Sequence, residues 1–208
     1  MKIYLDFDDT ILNTDGFIKE MIHIFNSVGF SEKDFYDNYE KTKAKVGDFD
    51  LDTIFDFFVQ SKEFDVCKTR SKVDDLFANV DVFVHNDFFD FAKAFGKEEL
   101  AMLSFGTTPS QRKKIDNSKI APYFGEIIIT SKSKEENFAD IVQDHPGEKI
   151  FFVEDKADQV DLVKKTTPQV IVMKIERPSG RYISSSSDLA DHIVKDFHDV
   201  EKIIKNNL

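Results

Sequence analysis

Five short apolar runs constrain this chain more than any other feature. They lie at residues 2–6, 100–104, 126–130, 149–153 and 169–175, are rich in Ile, Val and Phe, and are bounded by polar residues. Each has a continuous apolar stretch of at least three residues rather than an alternating pattern, which fits strands buried on both faces. From the second run onward, helix-length segments separate them: 110–118, 134–143 and 158–165, with 87–95 ahead of the second run and stopped by Gly96. This alternation predicts an α/β fold, a doubly wound parallel Rossmann-like sheet with helices on both faces. A final helix is expected over 188–205, with the serines at 184–187 as loop and N-cap.

The alternation stops between Thr14 and about Val84. Phe17, Met21, Ile24 and Val28 fall at helical spacing, and Gly29 closes the run. Ser31 and Asp34 form a capping-box pattern, with Phe35 and Tyr39 on one face of the helix that follows. Leu51, Ile54, Phe55 and Phe58 give another helical stripe, and the SKVD tetrapeptide at 71–74 is expected to open a further short helix. The expected organisation is therefore a core of residues 1–14 and 85–208 with a small all-helical domain, 15–84, inserted after the first strand.

Where the first strand ends, Asp6, Asp8 and Asp9 crowd three carboxylates into four positions. Two carboxylates about 4 Å apart repel by roughly 4 kcal/mol at an effective dielectric near 20, so something must offset them. In an open parallel sheet, ligands bind beyond the carboxyl ends of the strands. The first strand delivers Asp6, Asp8 and Thr10 there; the second delivers Ser104, then Phe105, Gly106 and Thr107. Lys132 and Lys134 follow the third strand, and Glu154 and Asp155 follow the fourth. Carboxylates, a hydroxyl beside a glycine, and lysine are the groups needed to hold a phosphoryl group with a magnesium ion.

These residues resemble the motifs of the haloacid dehalogenase (HAD) superfamily. The D-x-D-x-T motif is matched by Asp6-Phe7-Asp8-Asp9-Thr10. An apolar strand ending in Ser or Thr is matched by LAMLS, ending at Ser104. The motif lysine is matched by Lys134, with Lys132 as the alternative, and the acidic pair after an apolar strand is matched by FFVED. The approach to the third strand, PYFGEIII, also fits, and the helical insertion looks like the superfamily's cap of the first type. Two features depart from the usual pattern: the acidic pair is Glu154-Asp155, and no proline follows Lys134.

The resemblance implies a magnesium-dependent phosphohydrolase acting on a small phosphorylated molecule. Asp6 would be the nucleophile and Asp8 the general acid and base. Thr10 would help fix Asp8. Ser104 and the amides of Phe105 and Gly106 would bind the phosphoryl oxygens. Lys134 would bridge Asp6 and phosphate. Mg2+ would be held by Asp6, the Asp8 carbonyl, Asp155 and Glu154. Lys43, Lys45 and Arg70 are cationic candidates on the cap. A phosphomutase of the same family shares these motifs; a non-catalytic relative whose acidic cap binds a partner protein is the alternative from another class, disfavoured by the complete motif set. A dehalogenase is disfavoured, because it needs neither Asp8 nor the acidic pair.

Net charge of −11 argues against a nucleic-acid partner, because phosphate backbones need clustered Lys and Arg. No apolar run approaches the ~20 residues that span a bilayer, so no membrane partner is expected. The N-terminal MKIYLDFDDT carries charge where a secretion signal needs an apolar stretch, and Cys67 is the only cysteine. A reducing, cytoplasmic setting is the expectation.

Overall fold

Ile3, Tyr4 and Leu5 are fully buried and form β1 (Lys2–Leu5), one of the two central strands of the sheet. The structure is a computed structural model and describes residues 1–106 and 109–208. The other strands are β2 (Leu100–Phe105), β3 (Glu126–Thr130), β4 (Ile150–Glu154), β5 (Ile171–Ile175) and β6 (His192–Val194). The helices are α1 (Thr14–Asn26), α2 (Glu32–Val46), α3 (Leu51–Ser61), α4 (Val66–Ala78), α5 (Asn86–Ala94), α6 (Pro109–Asn117), α7 (Lys134–Asp144), α8 (Ala157–Thr166) and α9 (Phe197–Asn206).

Every strand pairing is parallel, in the order β3-β2-β1-β4-β5-β6. This is the doubly wound α/β arrangement expected from the apolar runs. Alternate residues of each strand feed opposite faces. Tyr4, Ala101, Leu103, Phe152 and Val172 pack with Phe138 and Ile141 of α7 and Val160 and Val163 of α8. Their neighbours Ile3, Leu5, Met102, Phe151 and Val153 are buried facing the other way. α5 and α9 pair through Phe91 and Phe197, whose ring centroids are 4.9 Å apart.

Two compact units divide the chain. One contains the sheet: Met1–Asp15, Phe83–Phe105 and Ile120–Leu208. The other is helical: Gly16–Val82 together with Gly106–Lys119, so α6 belongs with the helices although it follows β2. Inside the helical unit, Phe25 and Phe58 stack at 3.9 Å between centroids, and Phe30 and Phe35 pack on Phe58. The capping box at Ser31 is formed, with the Ser31 Oγ accepting from the Asp34 N–H and the Asp34 carboxylate accepting from the Ser31 N–H.

Three expectations are corrected. The buried stripe of α1 is Phe17, Ile18, Met21, Ile22 and Phe25, while Ile24 and Val28 are only half-buried. The SKVD tetrapeptide does not open a helix: α4 starts at Val66 behind the cap Asp65, and Ser71 and Asp74 lie in its interior. The final helix does not start near Asp188. Residues 192–194 instead extend along the open edge of β5, where they gain a backbone ladder, and α9 begins at Phe197 behind the cap Asp196. Pairing to a neighbouring strand overrides local helical preference there.

Candidate active site at the carboxyl ends of the strands

From β1 the chain runs outward to β2 and β3, then returns to β4 on the other side of β1. The strand order therefore reverses between β1 and β4, and a crevice opens beyond the carboxyl ends of such a pair. Asp6 leaves β1 at this point, with its N–H donating to the Val153 carbonyl at 3.0 Å. Leu5 is in register with both Val153 and Met102, so Asp6, Glu154 and Ser104 all belong to the same edge of the sheet. Ser104 is buried, and Phe105, the last residue of β2, is exposed. Gly106 lies in the helical unit, where its φ of 133° and a Cβ position 2.5 Å from Asp48 Oδ2 require glycine. Thr107 lies outside the described residues.

Lys134 is the lysine that reaches this edge. It is buried at the start of α7, and its Nζ donates to Asp6 Oδ1 and Glu154 Oε2. The side chain of Lys132 is 63% exposed and faces Asp140. Glu154 is saturated, because its Oε1 also accepts the N–H groups of Asp155 and Lys156 at 3.1 Å each. Asp155 is the opposite case. Both its carboxylate oxygens are buried, and among the described residues neither has a hydrogen-bond partner. Asp6, Glu154 and Asp155 each present an oxygen, all within 4.8 Å of one another.

Lys134, the ammonium that contacts this cluster among the described residues, cannot by itself balance three buried carboxylates. Burial first, then Glu154 and Asp6, pushes the Asp155 carboxyl up to about 11. Burial and Glu154 push Asp6 up to about 7, although Lys134 pulls the other way. Glu154 is held below its ordinary value: burial opposes its charge, but Lys134 and the hydrogen bonds outweigh it. Lys134 stays charged above its usual range, since the two carboxylates outweigh burial. The two ends of the Lys134–Asp6 contact thus point opposite ways, because Lys134 gains from both acids whereas burial and the neighbouring Glu154 outweigh its pull on Asp6. An oxygen-liganded divalent cation fits this donor set, supplying the missing charge and partners for Asp155.

Asp8 is held by a residue that sequence reasoning missed. Thr14 Oγ1 donates to Asp8 Oδ1 at 2.8 Å and accepts the Asp9 N–H at 3.1 Å. Thr10, expected to fix Asp8, has a buried Oγ1 with no partner among the described residues. A hydroxyl at the first position of a helix, four residues beyond the motif, was the available signal for Thr14. The cationic candidates of the helical unit are engaged within it: Lys43 lies over the Tyr39 ring, Lys45 over the Phe57 ring, and Arg70 pairs with Asp52 and Asp74.

The sequence matches no protein-family profile and no curated protein. Solved structures do match over nearly the full length. A haloacid dehalogenase-like hydrolase from Burkholderia xenovorans superposes with a TM-score of 0.77 at 17% identity, over 98% of this chain and 96% of that one. This chain has the haloacid dehalogenase-like fold. The HAD-hydrolase YfnB of Bacillus subtilis, bound to magnesium, gives a TM-score of 0.64 at 11% identity, covering 98% and 97% of the two chains. The L-2-haloacid dehalogenase of Xanthobacter autotrophicus gives 0.68 at 11% identity, covering 100% and 99%.

Proposed function

We propose that this chain is a divalent-cation-dependent hydrolase of phosphate monoesters, with a small phosphorylated molecule as substrate. The observation that carries the reading is Asp155, whose two buried oxygens, beside Asp6 and Glu154, have no hydrogen-bond partner among the described residues. Asp8, with its own positioning hydroxyl, supports it further, since a dehalogenase needs no acid two residues after its nucleophile.

Asp6, Asp155 and the main-chain carbonyl of Asp8 would hold Mg2+. Glu154, already spent on Lys134 and two amides, would stand behind them. The ion would supply positive charge that favours ionised Asp6 and draws charge from the phosphoryl oxygens.

The residues then divide the work. A carboxylate oxygen of Asp6 attacks phosphorus, and the P–O bond to the leaving group breaks. The Asp8 carboxyl gives its proton to the departing oxygen, so an alcohol leaves rather than an alkoxide. Lys134 holds Asp6 in line and meets the phosphoryl charge. Ser104 and the Phe105 amide donate to the transferring oxygens. In the second step the Asp8 carboxylate takes a proton from water, whose oxygen attacks phosphorus. Inorganic phosphate leaves, and the Asp6 carboxylate is restored.

The purified protein should release phosphate from p-nitrophenyl phosphate with Mg2+, stop in EDTA and recover on re-addition. Asp6→Asn should lose roughly a thousandfold or more in kcat without unfolding. Release of chloride from 2-chloropropionate, with no turnover of any phosphate ester, would replace this reading by dehalogenation.

A further inference from the structure

The chemistry above leaves one group of buried charges unused. After β5 the chain runs Glu176-Arg177-Pro178-Ser179-Gly180-Arg181-Tyr182. A turn closed by the Gly180 N–H on the Arg177 carbonyl at 2.8 Å brings two arginines close together. A Cβ at Gly180 would come within 3.1 Å of that carbonyl. Both arginines reach the turn that follows β1. Arg177 is buried; its Nε and Nη2 donate to the Thr10 carbonyl at 3.2 and 3.1 Å, and its Nη1 donates to Asp87 at 2.6 Å. The same Asp87 oxygen accepts the Phe197 N–H at 2.9 Å, and the guanidinium lies over the Phe197 ring. Arg181 donates from Nε to Asp9 Oδ2 at 2.5 Å.

Asp9 needs such support. Its φ is +59°, and a non-glycine residue in the left-handed region costs roughly 1–2 kcal/mol. Its carboxylate is also buried. Conformations of this kind persist only where the surroundings over-determine them. Three contacts do so here: Arg181 on the carboxylate, Thr14 on the N–H, and Arg177 on the next carbonyl. Asp8 precedes Asp9 directly and shares Thr14 with it.

We infer that Arg177 and Arg181 are positioning residues that lock the turn at residues 8–10 and so aim the Asp8 carboxyl at the leaving oxygen. Each acts through Thr10 or Asp9 rather than by touching substrate. The role of Asp8 here rests on the phosphohydrolase reading.

Leaving-group dependence separates aiming from mere support. p-Nitrophenolate departs with little help from an acid, whereas an alkoxide needs the proton. kcat/KM reports the step in which that group leaves. Arg181→Gln should lower kcat/KM about 30-fold for glycerol 2-phosphate and less than about threefold for p-nitrophenyl phosphate. Arg177→Lys keeps the charge but loses the planar fork, and should show the same pattern. Adding Asp9→Gly to Arg181→Gln should restore most of the loss, since glycine adopts the left-handed turn without an ion pair and leaves no buried carboxylate. Equal losses on both esters, or no recovery in the double variant, would overturn the inference. If the parent protein turned over neither ester, the phosphohydrolase reading would fail instead. A crystal structure of Arg181→Gln would then test the lock alone: Asp9 leaving the left-handed region sustains the hold of Arg181 on the turn, and an unchanged turn overturns it.

Discussion

Asp155 shows how a single side chain can be unfavourable for folding and useful for binding. Its carboxyl is buried beside two others and has no donor among the described residues. Burying it without a cation forces it to take up a proton that the unfolded chain does not hold at neutral pH, so an amide in its place should relieve the protein when no cation is present. Asp155→Asn should raise the metal-free stability by about 1–2 kcal/mol, seen as a Tm higher by roughly 3 °C or more in EDTA. The same variant should lose the rise in Tm that Mg2+ gives the parent, because a ligand stabilises only the state that binds it. A lower Tm in EDTA would show that the carboxylate cluster is not repulsive. At this scale the motif aspartates, Ser104 and Lys134 were legible, because each follows directly from a strand or helix end visible in the sequence. Arg177 and Arg181 were not. They lie far along the chain from Asp9 and Thr10, and only the fold brings them there.

At the scale of elements, the helical unit depends on packed phenylalanine. Phe58 touches Phe25, Phe30 and Phe35, so its ring joins α1, α2 and α3. Phe58→Ala should cost about 3–5 kcal/mol in that unit. Hydrogen exchange at the buried amides of α1 and α3 should accelerate accordingly, and unchanged protection would place the unit's core elsewhere. The five longer strands were readable because a strand covered on both faces leaves a continuous apolar run. β6 was not, because three residues at an edge need little apolar surface: Ile193 is 52% exposed while Val194 is buried. The start of α4 was misplaced for a related reason. Asp65 and Ser71 are both plausible caps locally, and the burial of Thr69 within the first turns favours the earlier one.

At the scale of the whole molecule, a half-buried histidine sets an acid limit on stability. His85 lies at the entry to α5, half-buried, its Nε2 without a partner among the described residues. Burial first, then the Arg177 charge, lowers its pKa from 6.5 to about 4, with Asp87 opposing. The folded state thus binds a proton less readily than the unfolded chain. The stability that this residue contributes is complete above pH 6.5 and is lost as pH falls toward 4, on the order of 2 kcal/mol once solvent screening is allowed for. His85→Gln should match the parent near pH 8 and become the more stable of the two near pH 4.5, as read from denaturant midpoints. Parallel curves across that range would remove His85 from the account. The sheet order has its own consequence during synthesis. Ile3 pairs with Leu100 on one side and Phe151 on the other, whereas residues 16–82 form most of a separate unit. A ribosome must deliver well over half of the chain before β1 gains its second neighbour. Until Leu100 is delivered, the apolar segment at β1 is a nascent strand with no neighbour to pair with, and until Phe151 follows it remains an open edge, exposed surface of the kind that chaperones cover.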